Sequence, residues 1–250
     1  MNSKHEFALF NETTSHITRT LAPQALFSID DQLLVTRIAS VLRMRVGDSF
    51  VMFDRHIHVV CTIEDISKKI VRCKMLEKKT NSIIKPSITY LLPVLKRDDL
   101  ESALYAMVEL GATSVQLVLT HKINRVWAGP KEFERAQRIM IAAAEQSKNY
   151  AFAQLHEPIL LTSCLEKIPS NSSKVFFDVD GRSALSVMNE LHNKKNQEIF
   201  LLVGPEADLT AEEKKLLVDN NFIVCELTPT VLRSVQAVAL SLGMVRSVLK

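Results

Sequence analysis

Two stretches of this chain combine residue types that could hold a small ligand and act on it. The first is Leu201-Leu202-Val203-Gly204-Pro205-Glu206, an apolar run that ends in a turn. Gly204 lets the backbone come close to a ligand, and Pro205 stiffens the loop. Glu206 offers a carboxylate that could accept a hydrogen bond from a ligand or orient the loop. The second stretch is Leu227-Thr228-Pro229-Thr230-Val231-Leu232-Arg233, just ahead of an apolar segment of helical period. Amides at the start of that helix could receive acceptor atoms. Arg233, read in its first turn, could hold a phosphate, a carboxylate or a developing anion.

Other constellations are missing. The chain has six glycines in 250 residues, at positions 47, 111, 129, 181, 204 and 243, and no two lie within five residues of each other. That excludes both the G-x-G-x-x-G dinucleotide fingerprint and the Walker A loop. The four cysteines show no C-x-x-C spacing and read as reduced, largely buried thiols. His56 and His58 would share one face of a strand, but no nearby third ligand completes a metal site, so no metal is expected. No apolar run approaches the roughly 18 residues of a membrane span, and no signal-peptide pattern opens the chain, so a cytoplasmic protein without membrane contact is expected.

The elements that would position these loops fall into two groups. Residues 1–79 read as short strands around one helix, with strands over 6–10, 49–53, 56–64 and 70–76, a helical spacing over 32–44, and a turn at Asp54-Arg55. A compact β-barrel fits, followed by a polar, proline-ended linker, Lys78 to Pro86. Residues 80–250 alternate strand and helix. Strands are expected at 88–92, 115–119, 175–178, 199–203 and 222–225. Helices are expected after Asp98-Asp99, from Pro130 to about Lys148, after the Thr210…Glu213 capping box, and from Val231 to about Val248. Near-continuous apolar strands between helices predict a parallel sheet covered on both faces, with ligands outside the carboxyl ends of its strands. Net charge is +3, and the excess is local: 13 basic against 9 acidic residues up to Lys85, and 18 against 19 beyond it. A phosphate-facing surface is therefore expected in the N-terminal part.

In order along the chain, these segments resemble the RsmE family of small-subunit ribosomal RNA methyltransferases, of the SPOUT (trefoil-knot) superfamily. The resemblance is carried by Val41-Leu42-Arg43-Met44-Arg45-Val46-Gly47-Asp48, by Pro93-Val94-Leu95-Lys96 with Glu109-Leu110-Gly111, and by Glu134-Arg135-Ala136-Gln137-Arg138-Ile139 leading to Ala143-Ala144-Glu145-Gln146-Ser147. Gly204-Pro205-Glu206 and Leu232-Arg233 complete it. It implies an α/β protein with an N-terminal PUA-like β-barrel followed by a SPOUT-type trefoil-knot domain with a parallel sheet. It also implies a homodimer that transfers a methyl group from S-adenosyl-L-methionine to N3 of a uridine in 16S rRNA, free or in the assembled small ribosomal subunit.

On that resemblance the cofactor contacts are Val203, Gly204, Pro205, Glu206, Leu227, Pro229 and Leu232, and the catalytic candidates are Arg233 and Glu206. Glu145, Gln146 and Ser147 would face the same site. Arg37, Arg43 and Arg45, with Lys68, Lys69 and Lys74, would meet RNA phosphates. The chain departs from the family at Ala207-Asp208, where two glycines are usual, at Ser234-Val235-Gln236-Ala237 in place of Thr-Glu-Thr-Ala, at Lys148-Asn149, and near His5-Glu6, where an arginine is expected. A non-catalytic RNA- or ribosome-binding relative and a methyltransferase acting on another RNA are the alternative readings.

Overall fold

A computed structural model describes residues 7–122, 125–194 and 197–249, so the departure near His5-Glu6 lies outside the described residues. The chain divides into two compact units, Met1–Ser82 with Glu145–Ala151, and Ile83–Ala144 with Phe152–Lys250.

The first unit contains β1 (Phe7–Phe10), α1 (Thr14–Ile17), β2 (Leu26–Ile29), α2 (Gln32–Thr36, extended by a π-helical turn Arg37–Val41), β3 (Ser49–Phe53), β4 (Ile57–Ile66) and β5 (Val71–Thr80). The strands form one barrel-like sheet in the order β1-β3-β4-β5-β2. β1 runs parallel to β3, and the other pairs are antiparallel. Alternation decides the inner face: Val59, Cys61 and Ile63 of β4 and Val71, Cys73 and Met75 of β5 are buried, and the residues between them are not. Phe50 and Met52 fill the same core, each worth about 1.5–3 kcal/mol when fully buried. Leu34, Val35 and Ile38 pack α2 and its extension onto this core, and the Asp31 side chain caps the helix through the amides of Leu33 and Leu34. β5 continues to Thr80, into the stretch read as linker.

The second unit contains β6 (Ile88–Pro93), α3 (Arg97–Glu109), β7 (Ser114–Leu119), α4 (Pro130–Ser147), β8 (Gln154–Leu160), α5 (Leu161–Leu165), β9 (Ser173–Ser183), α6 (Ala184–Asn193), β10 (Ile199–Val203), α7 (Ala211–Asp219), β11 (Ile223–Glu226) and α8 (Ser234–Val248); the last turn of α4 groups with the first unit. The sheet order is β11-β9-β10-β6-β7-β8, and every pairing is parallel. β6 and β10 lie at its centre and are buried along their whole length, as their apolar sequences require. The fold class is thus the α/β arrangement the resemblance implies, an N-terminal barrel-like sheet and then a parallel sheet with helices. Among the described residues, no helix is long and apolar enough to cross a membrane.

Local details differ from expectation in three places. Asp98 and Asp99 stand inside the first turn of α3, where they complement the helix dipole, and the N-cap is Lys96. α8 begins at Ser234, not Val231; Arg233 is its extended N-cap residue, and 231–233 belong to the preceding loop. The strand expected over 175–178 runs on to Ser183 as β9, with Gly181 inside it. A Cβ there would come within 2.4 Å of the Cys225 carbonyl carbon, so the close approach of β9 to β11 admits only glycine. Gly111 does end α3, with φ +79° at C′.

α8 is fastened at three points. The buried hydroxyls of Tyr90 on β6 and Ser241 on α8 lie 2.8 Å apart, and Ser241 also reaches the Val238 carbonyl. The Arg246 guanidinium donates to the carbonyls of Gly111 and Pro86. Burial lowers its pKa to about 10. At the other end of the helix, Ser234 Oγ donates to the Gly204 carbonyl at 3.0 Å.

Candidate active site

Parallel pairing brings the ends of β10, β6 and β11 beside the middle of β9. Val203 at the end of β10 is registered beside Phe177 of β9, and Phe176 beside Val224 of β11, while Leu202 lies opposite Leu91 of β6. Beyond these ends opens a cleft of about 790 Å³. Its walls come from the β10–α7 loop (Gly204, Pro205, Glu206, Asp208), the β11–α8 loop (Leu227, Thr228, Thr230 to Arg233), the middle of β9 (Phe176 to Val179), Lys96 and Asp99 at the start of α3, and Lys214 of α7. This is the crevice that an open parallel sheet builds for a ligand.

The predicted residues largely meet here. Val203, Gly204, Pro205, Glu206, Leu227, Leu232 and Arg233 all line the cleft; Pro229, in the same loop, does not. Arg233 is exposed; its carbonyl accepts the Ala237 amide, but its guanidinium makes no hydrogen bond or ion pair among the described residues and remains available to an anion. Glu206 accepts the Lys96 amide at 3.0 Å and so ties the Gly-Pro-Glu turn to the N-terminus of α3.

Four features of the cleft were not anticipated from the sequence. Lys96 and Asp99 arrive through the β6–β10 pairing, which no spacing along the chain reveals. Asp178 and Lys214 belong to different elements and meet Asp208 only in the fold: Lys214 Nζ lies 2.7 Å from Asp178 and 2.9 Å from Asp208. Burial works to lower the Lys214 pKa, but the hydrogen bonds to Asp178 and Asp208, with their charges, outweigh it and hold the ammonium above the usual lysine range. Asp208 itself sits at φ +60°.

The segment Glu145-Gln146-Ser147 does not line the cleft. Glu145 is buried in the first unit, where it accepts the Phe10 amide at 2.9 Å and pairs with both terminal nitrogens of Arg37. The reason is local charge pairing: a buried carboxylate needs a cation and donors, and Arg37 and Phe10 supply them. Arg37 is therefore engaged, whereas Arg43 and Arg45 are exposed at the end of the α2 segment. Among the described residues no group of three or more His, Cys, Asp or Glu could hold a metal ion; His58 instead contacts Asn81 through Nδ1 at 2.7 Å.

A parallel sheet whose carboxyl-end loops enclose such a cleft places the protein among the ligand-binding open-sheet α/β proteins. The profile of the RNA methyltransferase domain matches residues 84–246, and the chain belongs to that family. Within it, the sequence is 23% identical to the ribosomal RNA small subunit methyltransferase E of Rickettsia conorii over 235 residues, covering 92% of this chain and 93% of the relative, so the RsmE resemblance extends along nearly the whole sequence. Two solved structures share the fold at a TM-score of 0.84. One is a ribosomal RNA small subunit methyltransferase E from Neisseria gonorrhoeae bound to S-adenosyl methionine, 21% identical, with 97% of this chain and 98% of that one covered. The other is a methyltransferase of Legionella pneumophila in complex with its bound cofactor SAM, 18% identical, with 98% of each chain covered.

Proposed function

We propose that the protein is an S-adenosyl-L-methionine-dependent methyltransferase acting on N3 of a uridine in 16S rRNA of the small ribosomal subunit. The observation that carries this reading is the cleft itself. Both loops singled out by the sequence line it, in a chain of the RNA methyltransferase family. The residues present suit the cofactor: Phe176, Val203, Leu227 and Leu232 offer apolar walls for a nucleoside, and Gly204 and its neighbours offer backbone polar groups. When bound, S-adenosyl-L-methionine supplies a methyl group already activated on a sulfonium centre.

The chain's own part is then positioning and charge. Ser234 fixes the Gly204 carbonyl and Glu206 fixes the start of α3, so the loops are held before any ligand arrives. Uridine N3 is a weak acid, comparable with a phenol, and a nearby cation favours its anion. The unpaired guanidinium of Arg233 is the group for that task, or for the target's phosphate. Arg43 and Arg45 meet RNA phosphates from the first unit. The protein works in the cytoplasm as a homodimer, to which the exposed Leu240 of α8 and Val231 beside it contribute apolar surface.

The test is methyl transfer to small subunits from a strain lacking the mark, with the product nucleosides separated chromatographically. Appearance of 3-methyluridine in 16S rRNA is the expected result. Transfer to tRNA alone, or no transfer together with no binding of S-adenosylhomocysteine, would overturn the reading.

A further inference from the structure

Asp208 occupies a position where the backbone favours glycine. Its φ of +60° lies in the left-handed region, which aspartate tolerates better than most side chains because its short carboxylate can bond locally. The bonds are present. The Asp208 amide donates to the Pro205 carbonyl at 2.9 Å and closes the Gly-Pro-Glu turn; one carboxylate oxygen, Oδ1, accepts the Leu209 amide at 2.7 Å. The other oxygen faces Lys214 Nζ, which also holds Asp178 in the middle of β9. Asp208 Oδ1 stands over Gly204, 3.3 Å from where a Cβ on that glycine would be. On the other side of Gly204, its carbonyl is held by Ser234.

We infer that Asp178, Lys214 and Asp208 form an ionic clasp that positions the cofactor loop, with Lys214 a positioning residue that sets how tightly the cleft holds its ligand. The inference rests on the methyltransferase reading. A glycine pair at 207–208 would leave the turn free to move. Here a lysine instead bridges the loop to a neighbouring strand. The bridge joins Asp178 of β9 to Asp208 and Lys214, which stand 30 and 36 residues further along the chain, and all three residues line the cleft. Lys214 is about two-thirds shielded from solvent, so its contacts are weakened by water less than those of a fully exposed pair. Ligand binding to a loop that must first be ordered loses the affinity spent on ordering it, and the clasp removes that cost in advance.

The experiment is calorimetric titration of S-adenosylhomocysteine into the full chain and into Lys214→Met, Lys214→Arg, Asp208→Asn and the Lys214→Met/Asp208→Asn double variant, with thermal melting of each. Expected is a Kd raised about tenfold in Lys214→Met, in line with loss of a charge-assisted hydrogen bond. Lys214→Arg should recover most of the affinity, and the double variant should be no weaker than about the worse single one. Melting temperatures should stay close together, which a merely structural lysine would not allow. Wild-type binding with all variants within twofold of it, or strictly additive losses, overturns the clasp. Absence of binding by the wild-type chain instead overturns the methyltransferase reading.

Discussion

Removing the Ser241 hydroxyl should cost more than removing that of Tyr90, although the two share one hydrogen bond. Tyr90 is fully buried on the central strand β6, and its hydroxyl sits 2.8 Å from Ser241 Oγ, which in turn donates to the Val238 carbonyl. Tyr90→Phe deletes the tyrosine's bond but leaves Ser241 with its carbonyl, so the expected loss is about 1 kcal/mol. Ser241→Ala strands a buried phenolic donor with no alternative, which adds a desolvation penalty and brings the loss to about 2–3 kcal/mol. In the double variant both polar groups are gone, and the loss should return toward that of Tyr90→Phe, a coupling of about 2–3 kcal/mol. Urea denaturation followed by Trp127 fluorescence suits the measurement, because the chain's single tryptophan belongs to the second unit. A Ser241→Ala loss equal to or below that of Tyr90→Phe, or simple additivity, would refute the reasoning.

Three further outcomes are expected. Gly243→Ala should stabilise the protein by about 0.5–1 kcal/mol, since Gly243 lies inside α8 and an added Cβ would meet Leu110 at an ordinary 3.7 Å; a lowered urea midpoint would contradict this. Arg233→Ala should reduce methyl transfer about 100-fold while leaving S-adenosylhomocysteine affinity within about threefold, read by single-turnover rates beside calorimetry. Stability should fall as pH rises above about 9. Burial raises the Tyr90 phenol and pushes the thiols of Cys73 to about 12 and of Cys164 and Cys225 to about 11. These groups keep their protons in the folded chain and release them when unfolded, so high pH favours unfolding; a urea midpoint unchanged between pH 8 and pH 10.5 would show otherwise.

Elements with a strong internal signal were legible in the sequence. β6 and β10 are continuous apolar runs, and the Thr210…Glu213 capping box has both of its reciprocal bonds. Weaker segments were not. β2 offers only Phe27 and Ile29 as an inward pair, too short for a period to emerge. β8 carries His156, Glu157 and Pro158, tolerated because it is an edge strand with a register shift against β7. The start of α8 was misread by three residues because helical spacing does not register the extended Arg233. For the site, the two loops were legible because each contributes consecutive residues. Lys96, Asp178 and Lys214 were not, since only the strand order β9-β10-β6 and the packing of α7 bring them together.

The fastening of α8 also bears on when the cleft can exist. Ser234 lies 30 residues after the carbonyl it holds, Ser241 151 residues after Tyr90, and Arg246 135 and 160 residues after Gly111 and Pro86. Contacts so distant in sequence must wait for the chain between them, and their closure is slow compared with that of local ones. On a translating ribosome, strands β6 to β10 emerge before the helix that fixes the Gly204 carbonyl. A nascent chain therefore carries the Gly204 carbonyl unsecured even where the rest of its turn is held, and the binding cleft is among the last features of the protein to mature.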